Sequence, residues 1–179
     1  MAAGLADIAL VLIVCGAAWS DVRSRRIPNR LTVAGLLIAL SLRVLLGLVP
    51  LWQGVLGAVL ALGISTVLFA LGILGGGDAK LLTAVGAFLG PAGFVGALAI
   101  SCIAGAVLAL ADAARRGVLL LLLMHLIEIL SFWRAFGKGG HGRRLSTPGA
   151  LTVPFGLAIA IGAIAWRIAG TEILGALQI

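Results

Sequence analysis

Long apolar stretches alternate with short polar segments along most of the chain. Five stretches approach the roughly 20 residues that a helix needs to cross a bilayer: 5–19, 31–49, 51–74, 94–111 and 151–168. A sixth, 81–89, follows Asp78 and Lys80 and is too short to be identified by hydropathy alone. Only 11% of residues are charged, against about 25% in soluble domains. The pattern predicts an all-α integral membrane protein.

Basic residues are concentrated in two polar segments, which determine the predicted topology. Four arginines lie in 22–30, and six lysines and arginines lie in 113–149. Because basic loops favour the cytoplasmic side, an even number of crossings must separate the two segments, and this requires a break near Gly90 and Pro91. We therefore predict six spans with both termini outside, in the periplasm. Their approximate bounds are 4–20, 31–49, 51–74, 79–90, 92–112 and 150–168.

The segment 113–149 is predicted to be cytoplasmic. Within it, 118–136 contains a leucine run with His125 and Glu128, flanked on both sides by basic residues. This pattern favours an interfacial helix between spans five and six, since a seventh crossing would separate the basic residues at its two ends. No internal repeat or linker is visible, so one membrane domain over 1–179 is predicted.

Other chemistry-bearing residues favour no metal or redox site. His125 and Glu128 lack a further ligand nearby, and Cys15 and Cys102 lie in separate apolar stretches without a C-x-x-C pair. Arg43, within the second span, is expected to snorkel towards the outer interface. We therefore predict no metal site.

Two of the six acidic residues stand out by their positions. Asp21 closes the first span, and Asp78 ends the run Gly75-Gly76-Gly77-Asp78 between the third and fourth spans. Taken singly, Asp21 could be a loop acid paired with a nearby arginine, and Asp78 could be a helix cap. The predicted topology, however, brings both to the cytoplasmic face, and an ionisable group at a membrane boundary is a candidate functional residue.

A pair of neighbouring carboxylates has a specific chemical capability. In a poorly hydrated site both do not ionise easily, so one keeps a proton. The ionised one can take a proton from water as it attacks a peptide carbonyl, while the protonated one hydrogen-bonds the carbonyl oxygen and helps to protonate the leaving amine. Either Asp21 or Asp78 can start as the protonated member. The pair therefore predicts an aspartic peptidase mechanism.

The residues around both acids resemble the motifs of a known family, the type IV prepilin peptidases, which belong to the G-x-G-D membrane aspartic proteases. Asp21 is followed by Arg25-Arg26-Ile27-Pro28-Asn29, and the second motif reads Gly75-Gly76-Gly77-Asp78-Ala79-Lys80-Leu81. The last span opens with Val153-Pro154-Phe155-Gly156. With the number of spans and the order of the motifs, the resemblance covers nearly the whole chain.

The resemblance implies a specific activity. Such enzymes lie in the bacterial inner membrane and remove the basic leader of prepilins at the cytoplasmic face. They cut after a glycine and before the hydrophobic helix of the pilin. No metal or organic cofactor is implied. The chain is similar to the small form associated with Flp or tight-adherence pili, which lacks the N-terminal region with cysteine pairs, so we expect cleavage without N-methylation.

The resemblance also implies roles for residues around the catalytic Asp21 and Asp78. Gly75, Gly77 and Lys80 are expected to support the active site, and Pro28 and Asn29 to shape the first loop. Pro154 and Gly156 could line the site or start the last helix. The expected partners are a prepilin or pseudopilin substrate and membrane lipids, not nucleic acid.

Two other functional classes fit the same residues. A small transporter or channel could use Asp21 and Asp78 as proton or cation sites, although the inverted repeats common in transporters are not detectable. A non-catalytic assembly subunit would tolerate Asp-to-Asn changes at both positions. Loss of leader cleavage in such variants distinguishes the peptidase from both.

Overall fold

The computed structural model describes residues 2–47, 50–117 and 154–176, and within these ranges every regular element is an α-helix. The all-α fold class is therefore confirmed for this part of the chain. The helices are α1 (Ala2–Ser24), α2 (Asn29–Leu46), α3 (Leu51–Ala70), α4 (Gly76–Arg115) and α5 (Phe155–Ala176).

Several described helices are suited to a membrane. Three are long and apolar enough to cross one: α1 over Gly4–Ser24, α3 and α4, while the apolar stretch Phe155–Gly170 of α5 is shorter. Large apolar side chains such as Leu12, Leu45 and Val59 are exposed, and such surface is expected to face lipid. The chain is thus a membrane-embedded protein, while the six spans and their orientation stay predictions.

α4 is interrupted at Gly90. This residue has φ 74° and ψ −179°, a backbone conformation that a glycine adopts without steric cost. The next residue, Pro91, has no N–H with which to continue the hydrogen-bond ladder. The break predicted near Gly90 and Pro91 is therefore confirmed, and it divides α4 into a first half, 76–89, and a second half, 91–115.

The first half of α4 lies at the centre of the helix bundle. Residues 81–87 are all buried, so this stretch is covered on every side. It approaches α3 through bare backbone: a Cβ atom added to Gly57 would lie 2.2 Å from the carbonyl oxygen of Gly86, and one added to Gly86 would lie 2.4 Å from that of Gly57. Only small residues permit such an approach, which fixes α4 against α3.

The guanidinium group of Arg43, in α2, contacts the backbone of α4 just before the break. Its Nε donates to the carbonyl oxygen of Ala87 over 2.8 Å, and its Nη2 donates to that of Phe88 over 2.9 Å. The Ala87 carbonyl would ordinarily accept from the residue four positions on, which is Pro91 and has no N–H. Arg43, expected to snorkel to the interface, instead caps the first half of α4.

α5 packs on α1 and on the second half of α4 near the break. Leu10 and Val14 of α1 share one buried core with Ile159 of α5. A Cβ atom added to Gly162 of α5 would lie 2.4 Å from the carbonyl oxygen of Ala97, so these two helices also touch through backbone. This packing sets the first turn of α5 beside the last turns of α1.

The chain divides into two compact units, Met1–Gly105 with Pro154–Ile179, and Ala106–Val153. The contacts given above lie in the first unit, and the single domain over 1–179 stays a prediction. The predicted interfacial helix 118–136 with His125 and Glu128 lies outside the described residues. The same holds for 137–149 and for the first residues of the predicted last span, 150–153.

Candidate active site

Asp21 lies inside α1, one turn before its end. The helix was expected to end at Asp21, but it continues to Ser24, and the backbone N–H of Arg25 donates to the carbonyl oxygen of Asp21 over 2.8 Å. Hydropathy falls where the charged residues begin, whereas the helical hydrogen bonds end only where Arg25 takes a left-handed conformation with φ 52°. Asp21 is therefore held by regular helix.

The side chain of Asp21 is buried, with 8% of its surface exposed. Its Oδ2 accepts a hydrogen bond of 2.8 Å from the backbone N–H of Gly156 in the first turn of α5. That N–H is one of the four that a helix N-terminus leaves without an intrahelical partner. Pro154 immediately precedes this helix, and its carbonyl oxygen accepts from the N–H of Leu157 over 3.2 Å. Pro154 and Gly156 thus start α5, and Gly156 also contacts Asp21.

The turn between α1 and α2 carries one buried apolar residue, Ile27, among exposed neighbours. Ser20 in α1 stabilises the turn, because its hydroxyl donates to the carbonyl oxygen of Arg26 over 2.8 Å. Pro28 then occupies the N-cap of α2 with φ −63°, a value that its ring imposes. The turn thereby directs Ile27 inward, while the predicted role of Pro28 in shaping the loop stays a prediction.

Ile27 contacts two glycines that adjoin the two acids. A Cβ atom added to Gly77 would lie 3.1 Å from Cβ of Ile27, and one added to Gly156 would lie 3.1 Å from Cδ1 of Ile27. Gly77 precedes Asp78 directly, and Gly156 donates to Asp21. Ile27 therefore lies between the two motifs and sets how closely they approach.

Asp78 lies in the first turn of α4 and is partly buried. Its carboxylate accepts a hydrogen bond from the backbone of Gly75 and is close enough to Asp21 for the two charges to interact. A Cβ atom added to Gly75 would lie 2.9 Å from Oδ2 of Asp78, so a side chain at residue 75 would displace this carboxylate. Asp78 is the third residue of α4, and Gly75 precedes the helix. A hydrogen bond from the third residue back to the residue before the helix is one half of a capping box.

Lys80 links the second motif to the first. Its Nζ donates to Oδ1 of Asn29 over 2.9 Å, which joins the second turn of α4 to the first turn of α2. Among the residues described, Lys80 forms no ion pair with a carboxylate. Asn29 and Lys80 are therefore in direct contact, and their roles around the two acids stay predictions.

The structure thus gathers the sequence-predicted residues at one end of the bundle. The charges of Asp21 and Asp78 interact, and Gly75, Gly77 and Gly156 adjoin one or other carboxylate or Ile27. Sequence reasoning assigned no role to Ile27, although it is the only apolar residue between Arg23 and Pro28. Within the described ranges no three His, Cys, Asp or Glu residues come together as metal ligands would. Such an arrangement supplies a pair of carboxyl groups for acid–base chemistry.

Comparison with known proteins identifies a family for more than half of the chain. Residues 8–110 match the model of the type IV leader peptidase family. The match includes Asp21, the run 75–78 and Lys80, and it ends before Gly156. No curated protein and no solved structure matches the chain.

Proposed function

Because the chain belongs to the type IV leader peptidase family, we propose that it is an aspartic endopeptidase that removes the leader from type IV or Flp-like prepilins. Asp21 and Asp78 are its catalytic carboxylates. The cut follows a glycine and takes place at the cytoplasmic face of the bacterial inner membrane. Membership of the family agrees with the resemblance found in the sequence.

The proximity of Asp21 and Asp78 carries this proposal. The two residues are 57 positions apart in the sequence, yet their charges interact, and both adjoin glycines that contact Ile27. Both acids are backed by helix-terminal backbone, Asp21 by Gly156 and Asp78 by Gly75. Such anchoring fits acids whose positions must stay fixed during a reaction.

The proposed reaction follows from the pair. The ionised carboxylate takes a proton from a water molecule, whose oxygen attacks the scissile carbonyl carbon. The protonated carboxyl group hydrogen-bonds the carbonyl oxygen as negative charge develops there. The C–N bond then breaks, and the proton taken from water passes to the leaving amine. The pair of carboxyl groups is left with one proton, as at the start. Glycines 75, 77 and 156 let the two carboxylates and Ile27 lie directly against backbone.

A groove between α1 and α5 supports a substrate with a hydrophobic helix. It has a volume of about 580 Å³ and an almost wholly apolar lining. Val22 and Leu157, next to Asp21 and Gly156, line one end, and Cys15 and Ile168 line the part that extends away from the acids. A helix lying in this groove would bring the peptide bond before it to the end of the groove that adjoins Asp21 in the sequence. The pilin helix that follows the leader is hydrophobic and therefore matches this apolar groove.

The test is co-expression with a Flp prepilin, with leader removal followed as a mobility shift on gels. We expect wild type to process the prepilin and Asp21→Asn and Asp78→Asn to process none, because the amide can neither take up nor release the proton. Asp112→Asn is the matched control, since Asp112 pairs with Arg116, the residue that follows the end of α4. If either catalytic variant, expressed at the level of wild type, processes the prepilin as fully as wild type does, the proposal is wrong.

The small family form that the sequence resembles gives one further expectation. We propose that the chain cleaves without methylating the new N-terminus. Mass spectrometry of the processed pilin tests this directly. An added methyl group that depends on expression of this chain would refute that part of the proposal and leave the cleavage mechanism standing.

A further inference from the structure

A second polar feature lies at the opposite end of the bundle from Asp21 and Asp78. It is a cavity of about 310 Å³. Asp7 of α1 lines it, and this residue precedes Asp21 by four helical turns, roughly 21 Å along the helix. Gln53 in the first turn of α3 lines it as well, together with Arg43 and Arg167. Charged and amide side chains thus line a cavity at the edge of the bundle, where Asp7 and Arg167 are partly exposed.

The cavity carries more positive than negative charge. Arg167 and Asp7 form an ion pair through Nε of the arginine, so their charges compensate each other. Arg43 forms no ion pair with any residue that the structure describes. A guanidinium group stays protonated in proteins, so one positive charge is left without a counter-charge.

Arg43 also has hydrogen-bonding capacity to spare. Nε and Nη2 cap the carbonyls of Ala87 and Phe88, but Nη1 is buried and has no partner among the described residues. A buried donor without a partner costs free energy. Water could accept from Nη1, but it would leave the charge uncompensated. An anion supplies both the acceptor and the charge.

We propose that this cavity binds a phosphate group, with Arg43 and Arg167 as its cationic ligands. The planar fork of guanidinium donors matches phosphate oxygens, and Gln53 offers an additional amide donor. The phosphate comes either from the headgroup of an anionic lipid or from free phosphate. Leu42 and Leu89 in the lining suit the glycerol and first acyl carbons of a lipid. The site is separate from the proposed hydrolytic site and does not depend on its function.

Native mass spectrometry of the full chain in detergent tests this with two lipids of equal acyl chains, dioleoylphosphatidylglycerol and dioleoylphosphatidylcholine. We expect one phosphatidylglycerol to be retained about tenfold more tightly than phosphatidylcholine, and Arg43→Gln to remove this preference. Arg116→Gln, which removes an exposed arginine just after α4, is the matched control and should bind as wild type. Excess inorganic phosphate distinguishes the two sources of the phosphate group. If it displaces the lipid, the ligand of the cavity is free phosphate. If the lipid is retained, the ligand is the lipid headgroup.

A second variant keeps the proposal testable if Arg43→Gln fails to fold, because Arg43 also caps α4. Ala6→Leu adds bulk to the cavity lining and leaves both arginines in place. We expect it to fold and to lose the preference for phosphatidylglycerol. Equal retention of both lipids by wild type with no effect of inorganic phosphate, or binding by Ala6→Leu as tight as that of wild type, overturns the proposal.

Discussion

Oδ2 of Asp21 accepts a hydrogen bond of 2.8 Å from the backbone N–H of Gly156, which ties α1 to the first turn of α5. The contact leaves no room for a side chain on the glycine. A Cβ atom at position 156 would lie 2.9 Å from Oδ2 and 3.0 Å from Cβ of Asp21. The position of the carboxylate therefore depends on the absence of a side chain at residue 156.

Gly156→Ala should impair leader removal more than it impairs folding. The methyl group displaces the Asp21 carboxylate, and a shift of this kind costs on the order of 10- to 100-fold in kcat/KM. The measurement is the rate of prepilin cleavage by the purified variant. Gly4→Ala, in the first turn of α1 where an added Cβ meets nothing within 4 Å, is the matched control and should keep full activity. Cleavage by Gly156→Ala at the wild-type rate would contradict this role of the contact.

Ile27 determines how closely the two motifs approach, so shortening it should change the site. Ile27→Ala leaves space between Gly77 and Gly156, and the loss of a buried side chain destabilises the protein by about 2 kcal/mol. We expect cleavage to fall at temperatures where the variant is still folded, as judged by circular dichroism. Val33→Ala in α2 is the control, because Val33 is exposed and its truncation should change neither property. If activity follows only the folded fraction, Ile27 has a purely structural role.

The hydrogen bond between Lys80 and Asn29 can be separated from direct action of Lys80 on the substrate. Lys80→Met, Asn29→Ala and the double variant form a thermodynamic cycle. Because Lys80 is exposed, we expect the coupling free energy of unfolding to stay below about 1 kcal/mol. If Lys80 only positions α4, all three variants lose cleavage activity equally. A much larger loss in Lys80→Met than in Asn29→Ala would assign Lys80 a contact with substrate.

The sequence predicts the parts of this fold that depend on local patterns. Apolar stretches predict the helices, and the charge rule requires a break in the long stretch after Asp78. Gly90 and Pro91 locate that break, because glycine tolerates a positive φ and proline lacks an N–H. The place where α1 ends was predicted less well, since hydropathy reports the membrane boundary and not the last helical hydrogen bond.

Contacts set by packing could not be predicted in the same way. Ile27 reads as one apolar residue in a basic loop, and its contact with Gly77 and Gly156 needs three separate helices to be in place. Arg43 lies far in sequence from the carbonyls of Ala87 and Phe88, which become acceptors only because of the break. Both roles arise from tertiary structure and leave no periodic signal.

The backbone contact between α3 and α4 should make Gly86 sensitive to the smallest substitution. A Cβ atom there would lie 2.4 Å from the carbonyl oxygen of Gly57 and 2.7 Å from Cβ of Ala61. Gly86→Ala must therefore push the helices apart, and overpacking of this kind costs about 1–3 kcal/mol. Unfolding in detergent, followed by circular dichroism, measures the loss.

Gly63→Ala is the matched control, since Gly63 lies in α3 and an added Cβ meets nothing within 4 Å. In a helix interior that change stabilises by up to about 1 kcal/mol, so the two alanine variants should shift stability in opposite directions. Because the first half of α4 carries Asp78, Gly86→Ala should also slow cleavage in molecules that remain folded. Equal stability of the two variants would mean that α3 and α4 do not meet through their backbones.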